Sequence, residues 1–203
     1  MIRNIVFDLA GVVINLDLER DTAALQGIGL PDFEGCINDK KIAEPMLAYL
    51  NGLMEEGEFC DTLRPLCRKG VTDEEMLYAM DAVLGIVPDE RIQLILSLKK
   101  KYRVFLLSNI YEKAWKYAVA EIEKHGVTVS DLFEKVFLSY EMDLAKPDPR
   151  IFLQVIKETG IVPEETLYLD DSQSNIKTGN DIGFISRLVP MNCMEEIISS
   201  LDL

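Results

Sequence analysis

The chain has 203 residues, enough for one domain with a substantial core, or for a domain carrying an insertion. A formal net charge of −14 excludes a general binder of nucleic acid or of anionic membrane, because nothing offsets the repulsion from a phosphate backbone. Any phosphate must therefore be captured locally. No stretch is apolar enough to span a bilayer and no signal peptide is evident; the four cysteines, Cys36, Cys60, Cys67 and Cys193, lack metal-ligand spacing. They read as reduced thiols of a cytoplasmic protein. The one histidine, His125, falls in a polar, helix-forming stretch and is expected at the surface, which rules out a histidine triad or a multi-histidine zinc site.

The first element is an apolar run within residues 2–13 that stops at Asp8, with Gly11 soon after it. A carboxylate at the carboxyl end of a buried strand, beside backbone a ligand can approach, suits a nucleophile or a metal ligand. Asp8 as a plain turn cap is the competing reading, since aspartate is common in turns. The next strand candidate is residues 102–107, so the gap far exceeds the roughly 30 residues of a simple crossover unit. Within it, stretches such as 44–50, 58–67 and 73–80 carry helical spacing. A small helical cap over residues 15–90, inserted between core segments 1–14 and 91–203, is expected to sit above Asp8, exclude water and select substrate. Further strands are expected at 136–138, 166–169 and 184–188, with helices near 111–124, 149–159 and 173–182 between the later ones. Asp148-Pro149 is a good helix start, aspartate as N-cap and proline in the first turn. This alternation predicts an α/β fold, a Rossmann-like doubly wound parallel sheet with the cap inserted.

Polar residues follow the strands: Asp8 after the first, Ser108-Asn109 after the second, Lys146 after the third, and Asp170-Asp171-Ser172 after the fourth. In an open α/β sheet the carboxyl ends of the strands form one crevice, so these residues should converge. Taken singly, Ser108-Asn109 is also a helix N-cap and residues 146–149 an exposed turn. Asp170-Asp171 has no such structural gain to offset its electrostatic cost. Three clustered carboxylates repel one another unless a cation neutralises them. With no histidine or paired cysteine available, oxygen ligation favours Mg²⁺ over zinc. Ser108 and Asn109 would supply neutral donors and Lys146 a positive charge, a set suited to a phosphoryl group with Asp8 as the attacking carboxylate.

In order and spacing, FDLAGVV, LLSN, the lysine of LAKPDP and LYLDDSQSN resemble the four motifs of the haloacid dehalogenase (HAD) superfamily over nearly the whole chain. The chain looks most like the subgroup containing bacterial glucose-1-phosphate phosphatases. The resemblance implies Asp8 as nucleophile and Mg²⁺ ligand, with the backbone carbonyl of Ala10 completing the inner shell. It implies that Ser108 and Lys146 bind the transferring phosphoryl group. Asp171 would ligate the metal directly and Asp170 directly or through water; Asn109 and Asn175 would sit nearby. Gly11 matches the glycine whose backbone leaves room for the phosphate.

One departure concerns proton transfer. Most phosphatases of the superfamily carry a second aspartate, the general acid and base, two residues after the nucleophile, and this chain has Ala10. General acid catalysis is worth roughly 10²–10⁴-fold, so a slow enzyme, a leaving group that needs little protonation, or a substitute donor such as Asp17 or a cap residue follows. The expected function is an Mg²⁺-dependent phosphomonoester hydrolase acting on a small phosphorylated metabolite such as a sugar phosphate, through an aspartyl-phosphate. The alternatives are a non-enzymatic metal- and phosphate-binding regulatory or interaction protein, favoured only by Ala10, and a 2-haloacid dehalogenase, disfavoured by Asp170-Asp171. Without coiled-coil heptads, a monomer or weak homodimer is expected.

Overall fold

A computed structural model describes residues 1–201. The chain opens with β1 (Asn4–Phe7), then runs through α1 (Leu18–Gly27), α2 (Phe33–Asn38), α3 (Lys40–Leu50), α4 (Glu56–Leu63), α5 (Asp73–Asp81) and α6 (Asp89–Lys99). There follow β2 (Arg103–Ser108), α7 (Glu112–Glu123), α8 (Val129–Leu132), β3 (Lys135–Leu138), α9 (Ser139–Met142) and α10 (Pro149–Thr159). The chain ends with β4 (Thr166–Asp170), α11 (Gln173–Ile182), β5 (Ile185–Leu188) and α12 (Met194–Ser200). No helix among the described residues is long and apolar enough to cross a membrane.

The five strands form one parallel sheet in the order β3-β2-β1-β4-β5. This is the doubly wound α/β arrangement that the alternation of strands and helices predicts. After β1 the chain builds outward through β2 and β3, then returns to add β4 and β5 on the other side. The topological switch point therefore lies between β1 and β4, where parallel α/β sheets open a crevice at the strand carboxyl ends.

Both faces of the sheet are buried, and the two-residue period of a strand divides its side chains between them. Ile5, Phe7, Val104, Leu106, Leu167 and Leu169 join a large cluster shared with α6 and α7, while Val6, Phe105, Leu107 and Tyr168 join a second cluster with Phe152 and Phe184. In that second cluster the Phe152 and Tyr168 rings meet edge to face, 5.4 Å between centroids. Asp148 caps α10 as its sequence indicates, accepting a hydrogen bond from the Arg150 N–H at 2.9 Å.

Helices α1 to α5 pack chiefly on one another, α1 on α5 and α3 on α4. They leave and rejoin the sheet through a short antiparallel ribbon: Asn15 N–H donates to Ile86 O at 2.9 Å, Gly85 N–H to Asn15 O at 2.7 Å and Asp17 N–H to Val83 O at 2.8 Å. The buried Arg91 guanidinium ties this ribbon to α12, donating to Asn15 Oδ1 at 2.8 Å and to Glu195 at 2.7 and 2.8 Å. His125 corrects one expectation. It lies just beyond α7 and is half-buried, its ring bonded to Val87 O at 2.9 Å and to the Asp89 carboxylate, so it anchors the start of α6 instead of standing free at the surface.

The edge-to-face aromatic packing beneath β4 makes a stability prediction. Phe152→Ala should cost about 3–5 kcal/mol, because a fully buried ring is lost and the sheet face cannot collapse into the space. Urea denaturation checks it; a loss below about 1 kcal/mol would contradict this account of the second core.

Candidate active site

Asp8 is the first residue past β1, and its N–H donates to Leu169 O at 2.8 Å, so the strand ladder itself holds it against β4. The chain then turns within six residues: Val13 and Ile14 N–H both donate to Leu9 O at 2.8 Å, and Gly11 N–H donates to Ile14 O at 2.8 Å. The Ala10 carbonyl takes no part in these bonds, which leaves it available to a ligand. Gly11 has φ +74°, and a Cβ there would lie 2.6 Å from Asp171 Oδ2. Glycine thus leaves room for the Asp171 carboxylate, a different use of the space from the phosphate clearance implied by sequence resemblance.

Lys146 is the centre of the arrangement. Its Nζ is almost wholly buried and donates to Asp8 Oδ1 at 2.7 Å, to Asp170 Oδ2 at 2.7 Å and to Leu107 O at 2.9 Å. It reaches the site from a loop that follows α9 and not directly from β3, and Asn109 holds that loop. The Asn109 carboxamide accepts from Lys146 N–H and donates to Lys146 O, each at 2.8 Å. Asn109 is therefore a clamp on the lysine backbone, and it also lines the cavity above Asp8. Ser108, fully buried at the end of β2, makes only a 3.5 Å contact from its hydroxyl to Asn109 O.

Asp170 is wholly buried and saturated with donors. Besides Lys146, its carboxylate accepts from the Tyr168 hydroxyl, from Asn175 Nδ2 at 3.0 and 3.1 Å, and from Ser172 N–H at 2.8 Å. Burial pushes its pKa up, but Lys146 and these hydrogen bonds outweigh it and hold the group below the usual carboxylate range. Asp8 and Asp171 are less well served. Burial, then the neighbouring Asp170 and Asp171, push Asp8 up to about 7 against the opposing pull of Lys146. Burial and Asp170 push Asp171 up to about 6.

Oxygens of Asp8, Asp170 and Asp171 lie within 4.8 Å of one another. Three carboxylates against one ammonium leave two negative charges in a largely buried pocket. A divalent cation with oxygen ligands fits that deficit, and no cysteine or histidine is grouped with the three acids. Asp8 (through the oxygen that also meets Lys146), Asp171 and the Ala10 carbonyl are the groups left to hold it, since Asp170 is taken up by its donors. These groups open onto a cavity of about 660 Å³ that also touches Asn109, Ser172, Ser174, Asn175 and helices α2, α3 and α5. Asp17, a conceivable substitute acid, lies elsewhere, capping α1 through Arg20 N–H at 3.0 Å.

The raised values carry a sign. A group with its folded pKa above its unfolded one stabilises the fold fully below the unfolded value and loses that contribution as pH rises through the folded one. Asp8 and Asp171 should therefore destabilise the metal-free protein between about pH 4 and pH 7. Mg²⁺ should raise the Tm at pH 8 and have little effect at pH 5, and Asp171→Asn should shrink the pH 8 increment. Thermal unfolding across pH with and without Mg²⁺ checks this; an increment independent of pH would contradict the cluster as the binding site.

Residues 2–183 match the haloacid dehalogenase-like hydrolase family. The chain is 34% identical to a D-ribitol-5-phosphate phosphatase of Bacteroides thetaiotaomicron over 91% of its own length and 90% of that protein. It is 22% identical, over 88% of its length and 81% of the relative, to a phosphorylated carbohydrates phosphatase of Thermotoga maritima. Among solved structures, a HAD family enzyme of B. thetaiotaomicron in a magnesium complex superposes with a TM-score of 0.83 at 34% identity, covering 98% of this chain and 99% of that one. The same enzyme with magnesium and inorganic phosphate gives 0.78 at 35% identity, covering 94% and 96%. The chain, with its strand-end carboxylates and buried lysine on a doubly wound sheet, belongs to the haloacid dehalogenase-like hydrolases.

Proposed function

We propose that this chain is an Mg²⁺-dependent phosphomonoester hydrolase for a small phosphorylated metabolite such as a sugar phosphate. One observation carries the reading: a buried lysine shared by two of three clustered carboxylates at the switch point, in a chain a third identical to a phosphatase. Asp8 is the nucleophile. Its Oδ2 attacks phosphorus in line with the ester oxygen; the new O–P bond forms as the bond to the alcohol breaks, and water then hydrolyses the aspartyl-phosphate. Lys146 orients Asp8 through Oδ1 and, with Ser108, draws in the phosphoryl oxygens. Bound Mg²⁺ would supply charge neutralisation for the nucleophile and the transferring group. Asp171, Asp8 and the Ala10 carbonyl would hold it, with Asp170 acting on Lys146 and through water.

Protonation of the leaving alkoxide is the weak step. Ala10 has only a methyl side chain, and the hydroxyl of Tyr111, another residue lining the cavity, donates to Asp81 at 2.5 Å. With no general acid in place the alcohol must take its proton from water, so turnover should be slow. Residues 15–90 would serve as a cap over a core of residues 1–14 and 91–203, because the chain leaves and rejoins the core through the ribbon at 15–17 and 83–86, about which they could close. The acidic chain would act in the cytoplasm, where its four free cysteines stay reduced, without nucleic acid or membrane, as a monomer or weak homodimer.

Asp8→Asn should abolish phosphate release from sugar phosphates and aryl phosphates while the circular dichroism spectrum is retained, and a chelator should do the same to the wild type. Wild-type rates in the variant would refute the nucleophile. Mg²⁺ binding with no release from any ester would instead favour a binding protein that lost its chemistry with the acid at position 10.

A further inference from the structure

The cavity above Asp8 has two unlike halves. The sheet side carries the polar groups Asp8, Lys146, Asp171, Ser172, Ser174 and Asn175, beside apolar residues such as Ile110, Tyr111 and Met191. The other side is formed by nine residues between 16 and 84, and eight of these are apolar, among them Phe33, Ile37, Leu47, Leu50 and Met80. The ninth is Asn51, directly after α3. Its carboxamide has no hydrogen-bond partner among the described residues, whereas its backbone is tied down on both sides. Asn51 N–H donates to Leu47 O at 2.9 Å, and Asn51 O accepts from the buried Ser139 hydroxyl at 2.5 Å. Ser139 in turn accepts from Ile110 N–H at 2.8 Å, so the main chain of Asn51 is fixed to the sheet layer across the cavity. The next residue, Gly52, has φ +70°, and a Cβ there would lie 2.4 Å from Tyr140 Cβ and 2.8 Å from Ile110 O. Glycine at 52 is what allows the backbone at 51 to come this close to the sheet layer.

A free amide on a fixed backbone, alone in a hydrocarbon wall, is a recognition element. We propose that Asn51 is the specificity-determining residue for the alcohol part of the substrate, accepting from or donating to a hydroxyl on the leaving group. The substrate class is then a phosphomonoester with a hydroxyl placed to meet Asn51 and carbon skeleton against the apolar wall. This rests on the phosphatase reading, since it takes the phosphoryl end to lie at Asp8. A wall of this kind cannot strongly reject a compound that merely adds or lacks a methylene, but a positioned amide discriminates against one that lacks its hydroxyl partner.

The test compares D-ribitol 5-phosphate, the substrate in the name of the 34%-identical relative, with butyl phosphate, which has no hydroxyl. The kcat/KM ratio of the first to the second should exceed one in the wild type and fall by about tenfold in Asn51→Leu, the scale of one neutral hydrogen bond. Asn51→Ser, which keeps a shorter polar group, should give an intermediate ratio and carries the test if the leucine variant does not fold. A ratio that is the same in all three proteins would overturn the assignment. If the wild type releases phosphate from no ester, the phosphatase reading fails separately. Calorimetric titration of the two esters into wild type and Asn51 variants then decides the point: a preference for the ribitol ester that the substitutions erase supports it, and equal affinities overturn it.

Discussion

The site is organised by one ammonium group and the two carboxylates it bridges. Lys146 Nζ lies 2.7 Å from both Asp8 and Asp170, with almost no access to solvent. A buried charge of this kind is tolerated only when paired and hydrogen-bonded, and the surrounding structure meets that requirement. Leu107 O takes the third ammonium proton, Asn109 holds the lysine backbone, and Tyr168 and Asn175 complete the shell of Asp170. Removing either carboxylate would leave a buried cation short of a partner. The same bridge holds Asp8 at the cavity through one oxygen, with no hydrogen bond to its second oxygen among the described residues.

The bridge depends on topology. Asp8 and Asp170 are 162 positions apart, and they meet because β1 and β4 are neighbours in register across the switch point. The Asp8 N–H bond to Leu169 O extends that ladder by one residue and fixes the two acids side by side. Asp171, on the turn after β4, completes a cluster whose charge the single lysine cannot balance. The affinity for a divalent cation thus arises from a deficit built into the fold.

Much of this was legible in the sequence, because polar residues that end apolar strands of a parallel sheet have one place to go. Asp8, Lys146, Asp170 and Asp171 all reach that place. The helix beginning at Asp148-Pro149 was equally plain, since its cap is local. What depends on packing was not. Asn109 is expected to bind phosphate by proximity; that its carboxamide also clamps the lysine loop, brought beside it from 37 residues away, follows only from packing. Tyr168, two residues before Asp170 on the same strand, shares its face by the two-residue period and donates to its carboxylate. The braces Arg91, Ser139 and Asn192 carry no local signal; Asn192, for instance, holds Leu16 through its carboxamide at 2.8 and 3.1 Å. Asn51 was hidden because only the packing of α2, α3 and α5 shows which side chains line the cavity.

The most direct test of the account is to look for the phosphoryl group on the protein. The enzyme, mixed with Mg²⁺ and an aryl phosphate, is quenched in acid during turnover, digested and analysed by mass spectrometry. The account predicts a phosphoryl adduct on the peptide containing Asp8, absent when chelator replaces Mg²⁺ and absent in Asp8→Asn. Steady phosphate release with the adduct on another residue, or undiminished release from the Asp8→Asn protein, would contradict it.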